Sequence, residues 1–301
     1  SSGSMTSNDP ENKRLDAARA YLTASLAGDY VGIVDFDSGL RFASGLLELP
    51  DFKSTLVDAI NSIDSSGGTN VGLGVQGGCT ALRASLSDNN IKAAILLTDG
   101  QGDFNNEDDC FSDRGWPIYT FGFGDADDAL LQEIATNTGG TFARLPTSDL
   151  ICEFQRVRAQ IAGVEPSPCT TFNIGPIEII IIGVPIPLGQ EQATFSISWA
   201  GSDVEMSLIS PSGRVIDRNT VAPDVIHDLG STFEIYTILY PEPGEWEVEL
   251  FGADVPEEGE DVVFGVTSIP ASVLDVDIDI LPNVAPNQIN PAGRGSVQVA
   301  I

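Results

Sequence analysis

The sequence predicts a doubly wound α/β domain, with a mostly parallel sheet and one antiparallel edge, followed by an all-β sandwich and a β-strand tail. Two observations carry this reading. In the first half, stretches with apolar residues at helical spacing alternate with short, nearly uncharged runs rich in Val, Ile and Phe, as expected for strands covered on both faces. After the Pro-bearing linker from Gly163 to Pro168 the helical spacing stops, and strand-length stretches are separated by Pro and Gly turns. The boundaries read as 1–163 for the α/β domain, 164–270 for the sandwich and 271–301 for the start of a further β module.

Leu15, Ala18, Leu22 and Leu26 recur at helical spacing between Glu11 and Leu26 and predict the first helix. Tyr30 to Phe36 reads as a buried strand, turned at Asp37-Ser38-Gly39 into a partner strand through Phe42. Phe52 to Ile63 is a second helix, and Ser65 to Gly68 leads to Thr69. Val71 to Leu86 is the next helix, although Gly72, Gly74, Gly77 and Gly78 each weaken it by roughly 1 kcal/mol relative to Ala. Close packing against the sheet would justify them. Ile91 to Leu97 is apolar except for Lys92, and Asp99 sits just past its end, where open α/β sheets bind ligands. Gln101 to Asp113 is an acidic loop. Ile118 to Phe123 is a strand, Ala126 to Thr136 a helix, Thr141 to Arg144 a short strand and Ser148 to Ile161 the closing helix.

Strands of the sandwich are expected at 195–199, 204–209, 233–239, 246–250 and 262–266, with turns at Pro211-Ser-Gly213 and Pro241-Glu-Pro-Gly244. In the tail, Asp275, Asp277 and Asp279 alternate along one strand face, a Ca²⁺ contact or a wet face, of which the wet face is preferred.

At 301 residues the chain is long enough for two domains, each with its own core. Lys and Arg total 14 against 44 Asp and Glu, a formal net charge of −30, which excludes nucleic acid and anionic membrane surfaces as partners. No apolar run reaches the length of a transmembrane helix, so no direct membrane insertion is expected in this segment. The four cysteines lack Cys-x-x-Cys spacing, and with one His they make a poor zinc set. Their even number favours two disulfides, and the preferred pairing is Cys79 with Cys110 and Cys152 with Cys169. Four buried free thiols are the alternative.

Three separated segments carry the functional argument: Ser2-Gly3-Ser4-Met5, Gly67-Gly68-Thr69-Asn70 and Leu97-Thr98-Asp99-Gly100. Taken singly they read as a linker, a turn and a strand end. In this order they resemble the von Willebrand factor A domain and its metal-ion-dependent adhesion site, in which an Asp-x-Ser-x-Ser loop, a distant Thr and a distant Asp hold one divalent cation. The matching residues are Ser2, Ser4, Thr69 and Asp99; the family's first Asp would fall just before Ser1 and is absent. The resemblance implies Mg²⁺, or Mn²⁺ or Ca²⁺, held by hard oxygens with a coordination position left for an acidic group of a partner. It also implies a central strand, missing from the sequence, between Tyr30–Phe36 and Ile91–Leu97. The sequence is therefore expected to be part of a longer protein, with a strand-wide gap between those two strands. An additional Ca²⁺ could be held by the Asp and Asn oxygens of the 101–113 loop, but a solvated loop pinned by Cys110 is preferred.

The Ser-Pro-Ser-Gly and Pro-Gly-Glu-Trp phrases resemble the sandwich that follows the A domain in calcium-activated chloride channel regulators and related bacterial exported proteins. Those regulators carry a metalloprotease region upstream, whereas this sequence has no His-Glu-x-x-His. The resemblance implies a secreted or surface-anchored bacterial or archaeal adhesion protein, not an enzyme, whose partner is a protein or glycan presenting a carboxylate. Two other readings stand beside it: a self-assembling structural subunit of an extracellular fibre or matrix, and a non-catalytic part of a secreted hydrolase.

Overall fold

The computed structural model describes residues 2–84, 91–99 and 101–271. Its first half runs α1 (Met5–Asn8), α2 (Lys13–Ala24), β1 (Tyr30–Val31), β2 (Val34–Phe36), β3 (Leu40–Ala43), β4 (Leu47–Glu48), α3 (Lys53–Asn61), α4 (Val71–Arg83), β5 (Ala94–Thr98), α5 (Asp109–Ser112), β6 (Ile118–Gly122), α6 (Asp128–Thr138), β7 (Phe142–Arg144) and α7 (Leu150–Ile161). β5, β6 and β7 form a three-stranded parallel sheet, and β2 pairs antiparallel with β3. Ser1, Gly100, the end of the helix expected to reach Leu86, and the tail strand with Asp275, Asp277 and Asp279 lie outside the described residues.

Two expected elements differ. The single strand from Tyr30 to Phe36 is split at Gly32-Ile33, because the chain there is drawn against Ser44 and Gly45. The Ser44 hydroxyl accepts from Ile33 N–H at 2.9 Å, and a Cβ on Gly32 would sit 2.6 Å from the Gly45 carbonyl oxygen. β1 accordingly pairs with β4 and β2 with β3. The acidic loop also contains α5, seated by Phe111, which is fully buried against α4. The glycines of α4 are explained by close approach: a Cβ on Gly74 would lie 2.6 Å from the Phe36 ring, and one on Gly77 would lie 2.8 Å from Val34. They let α4 press onto the β2–β3 hairpin, offsetting their poor helix propensity.

β2 and β5 do not pair with each other among the described residues. Between them lies a cavity of about 300 Å³, walled by the strand segments Tyr30–Phe36 and Ala93–Leu97 and capped by Leu15, Val75 and Phe154.

The second half comprises β8 (Thr170–Ile174), β9 (Ile179–Ile186), β10 (Gln190–Ser198), β11 (Asp203–Ile209), β12 (Val215–Ile216), β13 (Val225–Leu229), β14 (Phe233–Leu239), β15 (Gly244–Asp254) and β16 (Glu260–Pro270). They form two antiparallel sheets, ordered β13-β14-β10-β16-β8 and β12-β11-β15-β9. The apolar cluster Ile177 to Pro187 supplies β9, an edge strand in which Pro185 is tolerated because edge positions do not all need a ladder donor. Between the sheets pack Phe195, Trp199, Met206, Tyr236 and Trp246, all buried, with the Phe195 and Trp246 rings 5.7 Å apart.

The five-stranded sheet is covered on both faces. Its outer face receives α2 and α7, so that Phe233 and Ile235 of β14 join Ala17, Ala20, Phe121 and Phe154 in one apolar cluster. The polar residues of β10 on that side are buried and meet helix partners: Gln192 Nε2 donates to the Ala24 carbonyl at 2.6 Å, Ser196 Oγ to Gln155 Oε1 at 2.9 Å and Ser198 Oγ to the Ser148 carbonyl at 2.7 Å. Cys152 of α7 sits so close to β16 that a Cβ on Gly265 would lie 2.6 Å from its sulfur. Both expected disulfides are present, Cys79–Cys110 between α4 and α5 and Cys152–Cys169 between α7 and the entry to the sandwich.

Candidate metal centre

The site is built where α1, the turn before α4 and the end of β5 converge. The chain enters through Ser2-Gly3-Ser4, pinned by Gly3 N–H donating to the Gly67 carbonyl at 3.0 Å, and turns at once into α1. Thr69 arrives one residue before Asn70, the N-cap of α4; the Asn70 side chain accepts from Leu73 N–H at 2.9 Å, and its own N–H donates to the Asp37 carbonyl at 2.7 Å. Asp37 braces this turn. Hydrogen bonds from Arg41 and from Gly39 N–H hold its carboxyl below the ordinary aspartate value. Asp99 follows β5 and is fully buried.

All four sequence-predicted residues are brought together. Their oxygens form a chain: Thr69 Oγ1 to Ser2 Oγ 3.2 Å, Ser2 Oγ to Ser4 Oγ 2.7 Å, and Ser4 Oγ donating to Asp99 Oδ1 at 2.9 Å. The second carboxylate oxygen, Oδ2, accepts from Asn8 Nδ2 at 3.0 Å. Among the described residues no Lys or Arg pairs with Asp99, whose partners are neutral donors. A buried carboxylate left in that state is costly, and a bound cation would supply the missing positive charge. Three hydroxyls and a carboxylate are hard oxygen donors, so the residues present fit Mg²⁺, Mn²⁺ or Ca²⁺ and not a soft metal.

Sequence reasoning missed the supports of the site. Asp9, almost fully buried, accepts from the N–H groups of Lys13 and Arg14 at 2.8 and 3.2 Å, opening α2, and from the Arg14 guanidinium at 2.8 Å. Arg14, on α2, reaches on to the Asp64 carbonyl and Ser65 Oγ, tying α2 and, through Asp9, the end of α1 to the turn that carries Thr69. An acidic residue just ahead of an apolar-periodic stretch is an N-cap signal that could have pointed to Asp9; nothing local marks Asn8. Among the described residues, no group of three or more His, Cys, Asp or Glu side chains is gathered as a metal site, the acidic loop included.

The von Willebrand factor type A domain matches residues 1–157. The chain is 26% identical over 265 residues to calcium-activated chloride channel regulator 3A-1 of Mus musculus, covering 83% of this chain and 29% of that protein. It is 24% identical over 265 residues to calcium-activated chloride channel regulator 1 of Bos taurus, covering 83% and 28%. The chain thus spans under a third of the length of these relatives. Among solved structures it is similar to a von Willebrand factor type A protein from Catenulispora acidiphila, with 17% identity, a TM-score of 0.47 and coverage of 90% of this chain and 64% of that one. It is also similar to the pilus adhesin SpaC from Lactobacillus rhamnosus GG, with 14% identity, a TM-score of 0.45 and coverage of 93% and 39%. With the family match spanning more than half its length, the chain belongs to the von Willebrand factor type A domain family.

Proposed function

We propose that this chain is a non-catalytic binding module that holds one divalent cation through Ser2, Ser4, Thr69 and Asp99 and uses it to engage a carboxylate on a protein or glycan ligand. The line of three hydroxyls ending on one buried carboxylate, which no Lys or Arg pairs with among the described residues, carries the reading. A donor set with so little negative charge leaves the ion able to attract an acidic group, and the hydroxyls offer no activated nucleophile or general base. The sandwich, fused to the domain through α2 and α7, serves as spacer or second contact. Two disulfides support a location outside the cytoplasm, in secreted form or at a cell surface.

Calorimetric titration of the chain with MgCl₂ tests the site. Asp99→Ala should abolish uptake while leaving the thermal melt in EDTA cooperative, and unchanged Mg²⁺ affinity in that variant would refute the assignment.

A further inference from the structure

We propose that Asn8 sets the cation preference of this centre, favouring a small six-coordinate ion such as Mg²⁺ over Ca²⁺; the inference rests on the metal reading above. Asp99 has two oxygens to offer, and the structure divides them. Oδ1 faces the Ser4 hydroxyl at 2.9 Å, within the line of candidate ligands, while Oδ2 is taken by the Asn8 amide at 3.0 Å. Because a carboxylate only accepts, the amide nitrogen must be the group turned toward it.

The amide is held there from two sides. Asn8 N–H donates to the Ser4 carbonyl at 2.9 Å, so the residue that clamps Oδ2 is fixed to the residue whose hydroxyl meets Oδ1. Its side chain lies over Gly124, where a Cβ would collide with the amide, and Gly124 also adopts φ +57°. The backbone that carries Asp99 is fixed as well: Asp125 N–H donates to its carbonyl at 3.2 Å, and Phe123 N–H donates to the Thr98 carbonyl at 3.3 Å.

An aspartate clamped in this way gives the metal one oxygen, not two. Mg²⁺ takes six oxygens singly in a near-ideal octahedron, whereas Ca²⁺ takes six to eight and gains from bidentate carboxylates. The clamp therefore withholds from Ca²⁺ a mode of binding that Mg²⁺ does not need. Asn8 acts through Asp99 and is a positioning residue.

Separate calorimetric titrations with MgCl₂ and CaCl₂ on the whole chain test this. Asn8→Ala should lower Mg²⁺ affinity about 10- to 100-fold, the usual effect of removing a partner that orients a metal ligand, and lower Ca²⁺ affinity less, so that the Mg²⁺:Ca²⁺ ratio falls. Asn8→Leu keeps nearly the same shape, removes the N–H donor and adds no charge; it should move the ratio in the same direction, and it serves if the alanine variant fails to melt cooperatively in EDTA. An unchanged ratio in a folded variant overturns the role of Asn8 alone. Wild-type protein that takes up neither cation, or Asp99→Ala that retains Mg²⁺ affinity, overturns the metal reading and this inference with it.

Discussion

Replacing Cys169 with Ser should cost the folded chain about 3 kcal/mol while leaving its architecture intact. The Cys152–Cys169 bridge spans a sequence separation of 17. On the chain-entropy model, −2.1 − 1.5R ln n cal/mol/K with n near 17 gives roughly 10.5 cal/mol/K, about 3 kcal/mol at 25 °C. The term acts on the denatured chain, so it is realised in full only if the native junction stands without the covalent link. The structure gives reason that it does: α7 stays seated by Phe154 in the cluster shared with Phe233 and Ile235, by Gln155 against Ser196, and by Cys152 itself, which the variant retains at Gly265. Urea titration should be followed by far-UV circular dichroism for the helices and by fluorescence, in a Trp116→Phe background so that only Trp199 and Trp246 of the sandwich report. Both probes should report one transition in the wild type and in Cys169→Ser, because α2 and α7 belong to the cores of both halves. For a chain of this size the melting temperature should fall by roughly 6–12 °C, at about 2–4 °C per kcal/mol. A loss below about 1 kcal/mol, well under the usual range for a disulfide, would show that the bridge does not restrain the denatured ensemble. Two separated transitions in the wild type would refute the shared core.

Arg14→Ala should destabilise by about 3–5 kcal/mol, the cost of leaving a buried carboxylate without its cation, because Asp9 and Arg14 are 1% and 5% exposed and 2.8 Å apart. Urea midpoints measure it, and Asp9→Asn combined with Arg14→Met should recover part of the loss; a single variant within about 1 kcal/mol of wild type would contradict the buried-pair account. Glu234 gives a pH dependence. Burial pushes its carboxyl up, but hydrogen bonds from His227, Arg218 and the Met206 N–H outweigh burial and hold it below the ordinary value of 4.5. A carboxylate with a lowered folded value adds stability above pH 4.5 that is lost as the pH falls through the lower value. Urea midpoints between pH 7 and about 3 should therefore fall more steeply below pH 4.5 in the wild type than in Glu234→Gln, and parallel curves would count against the network.

Much of the first half was legible because local signals agree with the fold. Helical spacing placed α2, α3, α6 and α7, the uncharged runs placed β5 and β6, and motif order brought Ser2, Ser4, Thr69 and Asp99 into one constellation. In the second half the strands β10, β11, β14, β15 and β16 were anticipated, but β8, β9, β12 and β13 were not. β12 is only Val215–Ile216, too short to leave a pattern. β9 reads Ile-Ile-Ile-Ile-Gly-Val-Pro-Ile, where alternation is masked because its outward isoleucines, Ile179 and Ile181, remain more than half exposed. Asn8 and Arg14 were invisible as site residues because their partners, Asp99, Asp64 and Ser65, lie 50 or more positions away in sequence.

Residue order alone marks where apolar surface must be hidden and where hydroxyls and a carboxylate recur, while the pairing of the four cysteines, open to three combinations in the sequence, is fixed by the fold. Residue order could not determine what would do the hiding. Gln192, Thr194, Ser196 and Ser198 alternate with Ala193, Phe195 and Ile197 as they would in a strand with one wet face, yet both sets are buried. Folding lays α2, α7 and the turn before α7 over the polar set, supplying the Ala24 carbonyl, the Gln155 side chain and the Ser148 carbonyl as partners for Gln192, Ser196 and Ser198, while Thr194 meets Thr237 of β14. Side-chain polarity records whether hydrogen bonds must be made, and the folded chain decides whether water or a helix makes them.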